Sequence, residues 1–112
     1  MPVKVNDVQG YEVVLDDERW EHILDGHPEM VDHRNLLIET MQRPELILRD
    51  PERSRIFYYY TLVGRSVFGR NDIYLSAVIE RSEGNKVAKV KTAYLVKRTK
   101  RDGVLVWLAR KN

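Results

Sequence analysis

Arg55-Ile56-Phe57-Tyr58-Tyr59-Tyr60-Thr61-Leu62, then Asp72-Ile73-Tyr74-Leu75-Ser76-Ala77-Val78-Ile79-Glu80, then the stretch from Lys86 to Arg98 follow one another in the chain and decide its fold. The first is dense in aromatic and β-branched residues. The second places Ile73, Leu75, Ala77 and Ile79 at every other position, and the third alternates lysines with Val, Thr and Tyr. Successive side chains of a strand point to opposite faces, so a period of two reads as three strands, each with one face for a core. Gly64 to Asn71 and Ser82 to Asn85 read as loops, and connections this short imply antiparallel pairing. Beyond them, Arg101-Asp102-Gly103 is a tight-turn signal before a further strand, Val104 to Ala109.

Toward the N-terminus the period changes. Glu45 to Leu48 is a short extended run and Asp50-Pro51-Glu52-Arg53-Ser54 is turn-like. Upstream of Arg43-Pro44, which stops a helix, Leu36, Leu37, Thr40 and Met41 fall on one helical stripe that starts near Val31 or Asp32. A first helix runs from about Asp17 to Gly26. Asp16-Asp17 supply its N-cap and a first-turn carboxylate, and Trp20, Ile23 and Leu24 lie at helical spacing. Gly26-His27-Pro28 ends it, because glycine suits a left-handed cap and the residue before proline is pushed out of the α region. Tyr11 to Leu15 is a short strand before that helix. The expected fold is α+β: two N-terminal helices packed on one face of a four- to five-stranded antiparallel sheet, with the other face available.

At 112 residues the chain is expected to form a single domain, 1–112, able to bury a little over ~60% of the surface its unfolded chain exposes. An apolar fraction of 43% and a charged fraction of 32% are those of an ordinary globular protein. The absence of cysteine excludes disulfides, thiolate metal sites and a cysteine nucleophile. No signal-peptide core or membrane-length apolar window is present, so the expectation is a cytoplasmic protein with no membrane partner.

The net charge of +2 conceals a division. From residue 86 onward nine Lys/Arg face Asp102 alone, a local charge of +8, and the rest of the chain carries −6. Such a basic block either solvates a strand face and pairs with the acidic helices, or meets an anionic partner by displacing counterions from phosphates.

Candidate chemistry centres on a few side chains. Three histidines are the residues whose ordinary pKa lies near neutrality. His27 follows Trp20 by two helical turns, which places it on the apolar side, partly sheltered where helix and sheet meet. Its alternative role is a helix-terminal residue bonded to backbone. His22 projects away from Trp20 and reads as a surface residue, and His33 as an exposed residue at the start of the second helix. His22, His27, Glu29 and His33 lack the spacing of a known metal motif, so neither metal nor cofactor is expected. Phe57 and Tyr59 separate from Tyr58 and Tyr60 across the strand. One pair enters the core, and the other either packs on the sheet or offers a stacking surface for bases, with Tyr58 the candidate. Thr92 and Tyr94 carry hydroxyls able to bind a phosphate, and Lys89 or Lys91 can neutralise its charge. Lys89 and Lys91 share one face of an ideal strand and Thr92 and Tyr94 the other, so a common site needs a bulge or a strong twist.

Trp20-Glu21-His22-Ile23 with His27-Pro28-Glu29, then Ile38-Glu39-Thr40-Met41-Gln42-Arg43-Pro44-Glu45-Leu46-Ile47, the Tyr58-Tyr59-Tyr60 strand, and Lys91-Thr92-Ala93-Tyr94 form an ordered set. It resembles the phage- and toxin-associated branch of the barnase/EndoU/colicin/RelE-like nuclease superfamily, over a core of about residues 11–97 with 98–112 as a basic extension expected to form a strand. The resemblance implies metal-independent cleavage of RNA, in which the ribose 2′-hydroxyl attacks the adjacent phosphorus. On that implication His27 is the acid/base, Thr92 and Tyr94 hold phosphate or assist proton transfer, and Lys91 or Arg55 stabilises charge in the transition state. Toxin–antitoxin pairing is common in that superfamily, which makes RNA and an antitoxin or other acidic protein the implied partners. The alternatives are a non-catalytic module that binds nucleic acid or protein, and a homo-oligomerising domain whose interface is the aromatic strand or Val104 to Leu108, a homodimer in the simplest case.

Overall fold

Period-two alternation over the central segments produces a β-meander. In the computed structural model, which describes residues 2–65 and 72–110, β1 is Val3–Asn6, β2 Glu12–Leu15, α1 Asp17–Gly26 and α2 Arg34–Gln42. The later strands are β3 Leu46–Arg49, β4 Ile56–Arg65, β5 Asp72–Arg81, β6 Val87–Val96 and β7 Val104–Leu108. A 3-10 helix, Pro28–His33, joins the two α-helices. The loop expected from Gly64 falls outside the described residues from 66 to 71, as does Lys111 of the basic block.

The fold is α+β, but its sheet has seven strands, in the order β1-β2-β6-β5-β4-β3-β7, where four to five were expected. β1 supplies one of the additional strands. Its four residues are too few to display a period, yet Val3 and Val5 turn inward and pair against Leu15 and Val13. Nor is the sheet wholly antiparallel: β2 runs parallel to β6, with Val13 opposite Ala88. The hairpin argument fails there because the chain between β2 and β6 passes through both helices and three strands, so no short turn dictates direction. The basic C-terminal stretch belongs to the same sheet, since β7 pairs antiparallel with β3.

Helix α1 begins and ends where the sequence pattern places it, but Gly26 is its last helical residue and is not left-handed, and the capping residue is His27, whose backbone leaves the helical region. The Asp16 carboxylate accepts the Arg19 N–H at 2.7 Å, and the His27 N–H donates to the Ile23 carbonyl at 2.7 Å. Helix α2 starts later than Val31 or Asp32. Proline 28 fixes φ and has no N–H, so it opens a tight turn in which Met30 bonds back to His27, and regular α geometry begins only at Arg34.

Residues paired directly across strands share a face. Phe57 with Ile79, Tyr59 with Ala77 and Ala77 with Ala93 therefore line one side, and they form a single core with Ile23, Met30, Leu37 and Met41. Each such large side chain contributes about 1.5–3 kcal/mol by leaving water. The Thr40 hydroxyl donates to the Leu36 carbonyl and stands 2.9 Å from the Thr61 hydroxyl, which fixes α2 over β4.

A buried polar network closes this core at its β1–β2 end. The Arg81 guanidinium lies between the rings of Tyr11 and Phe57, 4.2 and 3.9 Å from their centroids. It donates to Gln9 Oε1 at 2.7 Å and to the Tyr59 hydroxyl at 2.9 Å, and that hydroxyl donates to Asp7 Oδ2. The other Asp7 oxygen accepts the N–H groups of Gln9 and Tyr11. A buried charge is tolerable when its donors are satisfied in this way. Gln9 Nε2 also donates to the Val106 carbonyl of β7, so the turn at one sheet edge meets the strand at the other and the sheet is curled.

The second face is not left free along its whole length. Residues after β6 turn back over it: the Lys100 N–H donates to the Tyr60 hydroxyl at 2.9 Å, and Lys100 Nζ stands 5.5 Å from the Tyr58 ring. Gly103 rests so closely on Leu48 that a Cβ there would lie 2.8 Å from the Leu48 Cβ. Leu48 and Tyr58 are cross-strand partners, as are Leu46 and Tyr60, so this end of the face is apolar and collects a cover. Trp107 packs against the core within the same chain. No helix among the described residues is long and apolar enough to cross a membrane.

Candidate functional site

A β-bulge in β6 gathers the residues of interest. Val78 pairs with Thr92 and Ile79 with Val90, so Lys91 is the extra residue with no partner on β5. The bulge resets the alternation. Lys89 opposite Glu80, Thr92 opposite Val78 and Tyr94 opposite Ser76 now share the face that is turned away from the main core. The separation expected of Lys89 from Thr92 and Tyr94 on an ideal strand is thereby removed.

Two features hold the bulge in place. β2 covers β6 only from Val87 to Lys89, and α1 and the 3-10 helix also contact β6. From α1, Arg19 Nη1 donates to the Lys91 carbonyl at 3.1 Å, supplying a donor to the bulged residue.

The same helix delivers His27 to β6. Its imidazole centroid is 5.1 Å from that of Tyr94, with the ring planes inclined by 32°. The His27 side chain is 39% exposed and its Nδ1 lies 3.6 Å from Glu29. It is thus packed on one side and open to a ligand on the other. Its backbone N–H is the one that closes α1.

Lys91 and Arg55 also meet. They line a surface groove of about 450 Å³, together with Arg53, Ser54, Ile56 and Glu80. Glu80 is the acidic centre of this region, 3.5 Å from Lys89 Nζ and 3.9 Å from the Arg55 guanidinium. The basic block is therefore interleaved with carboxylate at this point, as a partly self-paired strand face would be.

Tyr58 does not present an open stacking surface. Its hydroxyl donates to Asp50 Oδ2 at 2.6 Å, and Lys100 lies over its ring. Partial burial and then the bond to Asp50 raise its pKa well above the usual phenol range. Tyr60 is only 3% exposed, and its pKa is likewise raised, chiefly by burial. The pair is taken up by Asp50 and by the Lys100 segment. Asp50 in turn organises the β3–β4 turn: its Oδ1 accepts the N–H groups of Glu52 and Arg53 at 2.9 and 3.0 Å. The Tyr58 bond and then the Glu52 N–H hold its pKa down at about 2. Tyr58 and Asp50 together set the turn that displays Arg53 and Arg55.

His22 is exposed and 3.8 Å from Glu18 on the same helix. His33 ends the 3-10 helix. No group of three or more His, Asp or Glu among the described residues is arranged to hold a metal ion.

Arg19, Asp50 and Glu80 were not evident as site residues in the sequence. Arg19 and Glu80 act through long-range contacts that spacing along the chain does not encode. Asp50 had a visible signal in its turn context, Asp-Pro-Glu-Arg-Ser, since aspartate at the head of a turn commonly caps the N–H groups after it. Comparison of the chain with protein-family models, with curated proteins and with solved structures gave no match.

Proposed function

We propose that the chain is a metal-independent endoribonuclease-like domain of the toxin type, acting where α1 meets the bulge of β6. The observation that carries this reading is the contact between His27 and Tyr94, an ionisable imidazole and a phenol side by side at a half-open rim. The Lys91 and Arg55 groove supplies cations toward the same strand. His27 takes the proton of the ribose 2′-hydroxyl, and the resulting oxygen attacks the adjacent phosphorus. The P–O5′ bond breaks as the Tyr94 hydroxyl gives its proton to O5′, leaving a 2′,3′-cyclic phosphate and a 5′-hydroxyl. The imidazolium returns a proton to the phenolate, so the pair ends as it began. Lys91, with Arg55 or Lys89, stabilises the added charge on phosphorus, and Thr92 holds a phosphate oxygen.

The test is purified protein with structured and single-stranded RNA in EDTA, followed by end-group analysis. Cyclic phosphate ends, lost in His27→Ala and reduced in Tyr94→Phe at unchanged melting temperature, are the expected result. Salt-sensitive binding without cleavage over a broad RNA set would replace this reading with a non-catalytic binding module.

A further inference from the structure

The groove beside Lys91 does not end at Glu80. A second depression of about 260 Å³ shares Arg55 and Glu80 with it and continues past Lys89 to Ser82 and Val87. Five cations, Arg53, Arg55, Arg81, Lys89 and Lys91, therefore line one continuous channel, whose carboxylates are Glu80 at the centre and Glu52 at the rim; Arg81 is already taken up by Asp7, which leaves four for a ligand. Among the described residues, no carboxylate lies within ion-pair distance of Arg53 or Lys91, while Arg55 and Lys89 both lean on Glu80. The walls are the turn held by Asp50 on one side and β6 on the other.

We infer that this channel binds the phosphate backbone of a single-stranded nucleic acid, and that Glu80 is the internal anion that the incoming phosphate displaces. The inference rests on the nuclease reading for its biological sense and adds a substrate class and a path to it. A channel between a turn and a strand admits one extended chain, with phosphates following the cations, whereas a duplex presents its two backbones on a broad cylinder. Glu80 pairs with exposed cations, an arrangement that holds them loosely and that a phosphate bonded through its two charged non-bridging oxygens replaces. In the unoccupied protein Glu80 keeps Arg55 and Lys89 from splaying into solvent, and toward a bound strand it is a like charge that limits affinity.

This assigns Glu80 a sign opposite to that of an ordinary stabilising residue. Neutralising it tightens binding. The probe is an oligodeoxynucleotide, which has no 2′-hydroxyl and so is not cut by 2′-hydroxyl attack, in single-stranded and duplex form over a salt series. Expected for Glu80→Gln is affinity raised about fivefold, the size of a released exposed ion pair. The slope of log affinity against log salt should also steepen by ~0.7 for each cation that now meets a phosphate. Lys91→Gln and Arg53→Gln should each weaken binding and flatten the slope by ~0.7. Arg101→Gln, an exposed cation outside the channel, should do neither.

Glu80→Gln binding no better than the parent, duplex binding as tight as single strand, or Arg101→Gln costing as much as Lys91→Gln would each overturn the channel. Melting curves establish that the variants are folded. The two readings fail separately: cleavage of RNA with an unresponsive Glu80 removes the channel and leaves the nuclease, and the predicted binding pattern without cleavage does the reverse.

Discussion

Arg19 donates from its guanidinium to the carbonyl of Lys91 at 3.1 Å, across 72 residues of sequence. The bond ties the first turn of α1 to the bulged residue of β6, which has no partner on β5. Helix position and bulge are therefore set together, and His27 at the far end of the same helix reaches Tyr94 as a consequence. Arg19→Met keeps the aliphatic stem and removes the donor. It should lower stability by about 1.5–3 kcal/mol, the usual worth of a bond with a charged partner, read as a shift in the urea midpoint. If the proposed nuclease reading holds, it should lower the rate of RNA cleavage by more than it lowers oligodeoxynucleotide binding, because it displaces His27 from Tyr94 before it disturbs the groove beside Lys91.

Asp50 makes the fold acid-sensitive in a defined window. Its pKa falls from an ordinary 3.8 to about 2 through the Tyr58 hydroxyl and the Glu52 and Arg53 N–H groups. A lowered folded-state pKa means that the native protein binds the proton less readily than the unfolded chain. The stabilisation is then complete above pH 3.8 and is lost as pH falls toward 2. Urea midpoints measured through this range should drop for the parent. The drop should be smaller in Tyr58→Phe, which has already given up the largest contribution to the shift.

Tyrosine 59 works at the opposite limit. Burial, and then the bond to Asp7, raise its pKa above the ordinary 10.0. Here the native state holds the proton more tightly, so the contribution is intact below pH 10 and is lost as pH climbs beyond it. Phenolate absorbance followed against pH should show Tyr59 titrating only with unfolding. Tyr59→Phe should leave Arg81 and Asp7 short of a shared partner, at a cost of about 1–3 kcal/mol.

Gly103 has no room for a side chain. A Cβ would come within 2.8 Å of both the Cβ and a methyl of Leu48, and the first of these sits on the strand backbone and has little freedom to give way. Gly103→Ala should destabilise the protein by about 1–3 kcal/mol as an overpacked contact. Loss of the cover over Tyr58 and Tyr60 should follow, seen as faster hydrogen exchange of the Lys100 amide, which donates to Tyr60.

The limits of α1 were legible because capping is local: Asp16 at one end and His27-Pro28 at the other act within a turn of themselves, while Gly26 does not take the left-handed cap conformation its type suggests. The strands of the meander were legible for the same reason, through alternation. The parallel pairing of β2 with β6 was not, because it depends on where two distant segments come to rest and each reads alike in either direction. The site shows the same boundary. His27, Tyr94 and Lys91 stand out by residue type, and the need for a bulge in β6 follows from counting positions. Nothing near Thr92 says that Lys91 is the inserted residue, since the register is set by the packing of Val90 and Ala93 into a core made elsewhere. The bond of Tyr58 to Asp50 was not legible either, because a hydroxyl on a strand face carries no mark of the carboxylate eight residues before it that takes it up.

His27 and Tyr94 should behave as one unit in kinetics. If the imidazole removes the 2′-hydroxyl proton and the phenol protonates the leaving oxygen, each transfer is worth about 10²–10⁴ in rate. With either gone, the other has no cycle to complete. The double variant His27→Ala with Tyr94→Phe should therefore be scarcely slower than His27→Ala alone. Phenylalanine keeps the ring that packs against the imidazole, so Tyr94→Phe should melt as the parent does and its defect should appear in kcat with KM little changed. Losses that multiply instead would show two residues acting independently and would separate the phenol from the proton transfer.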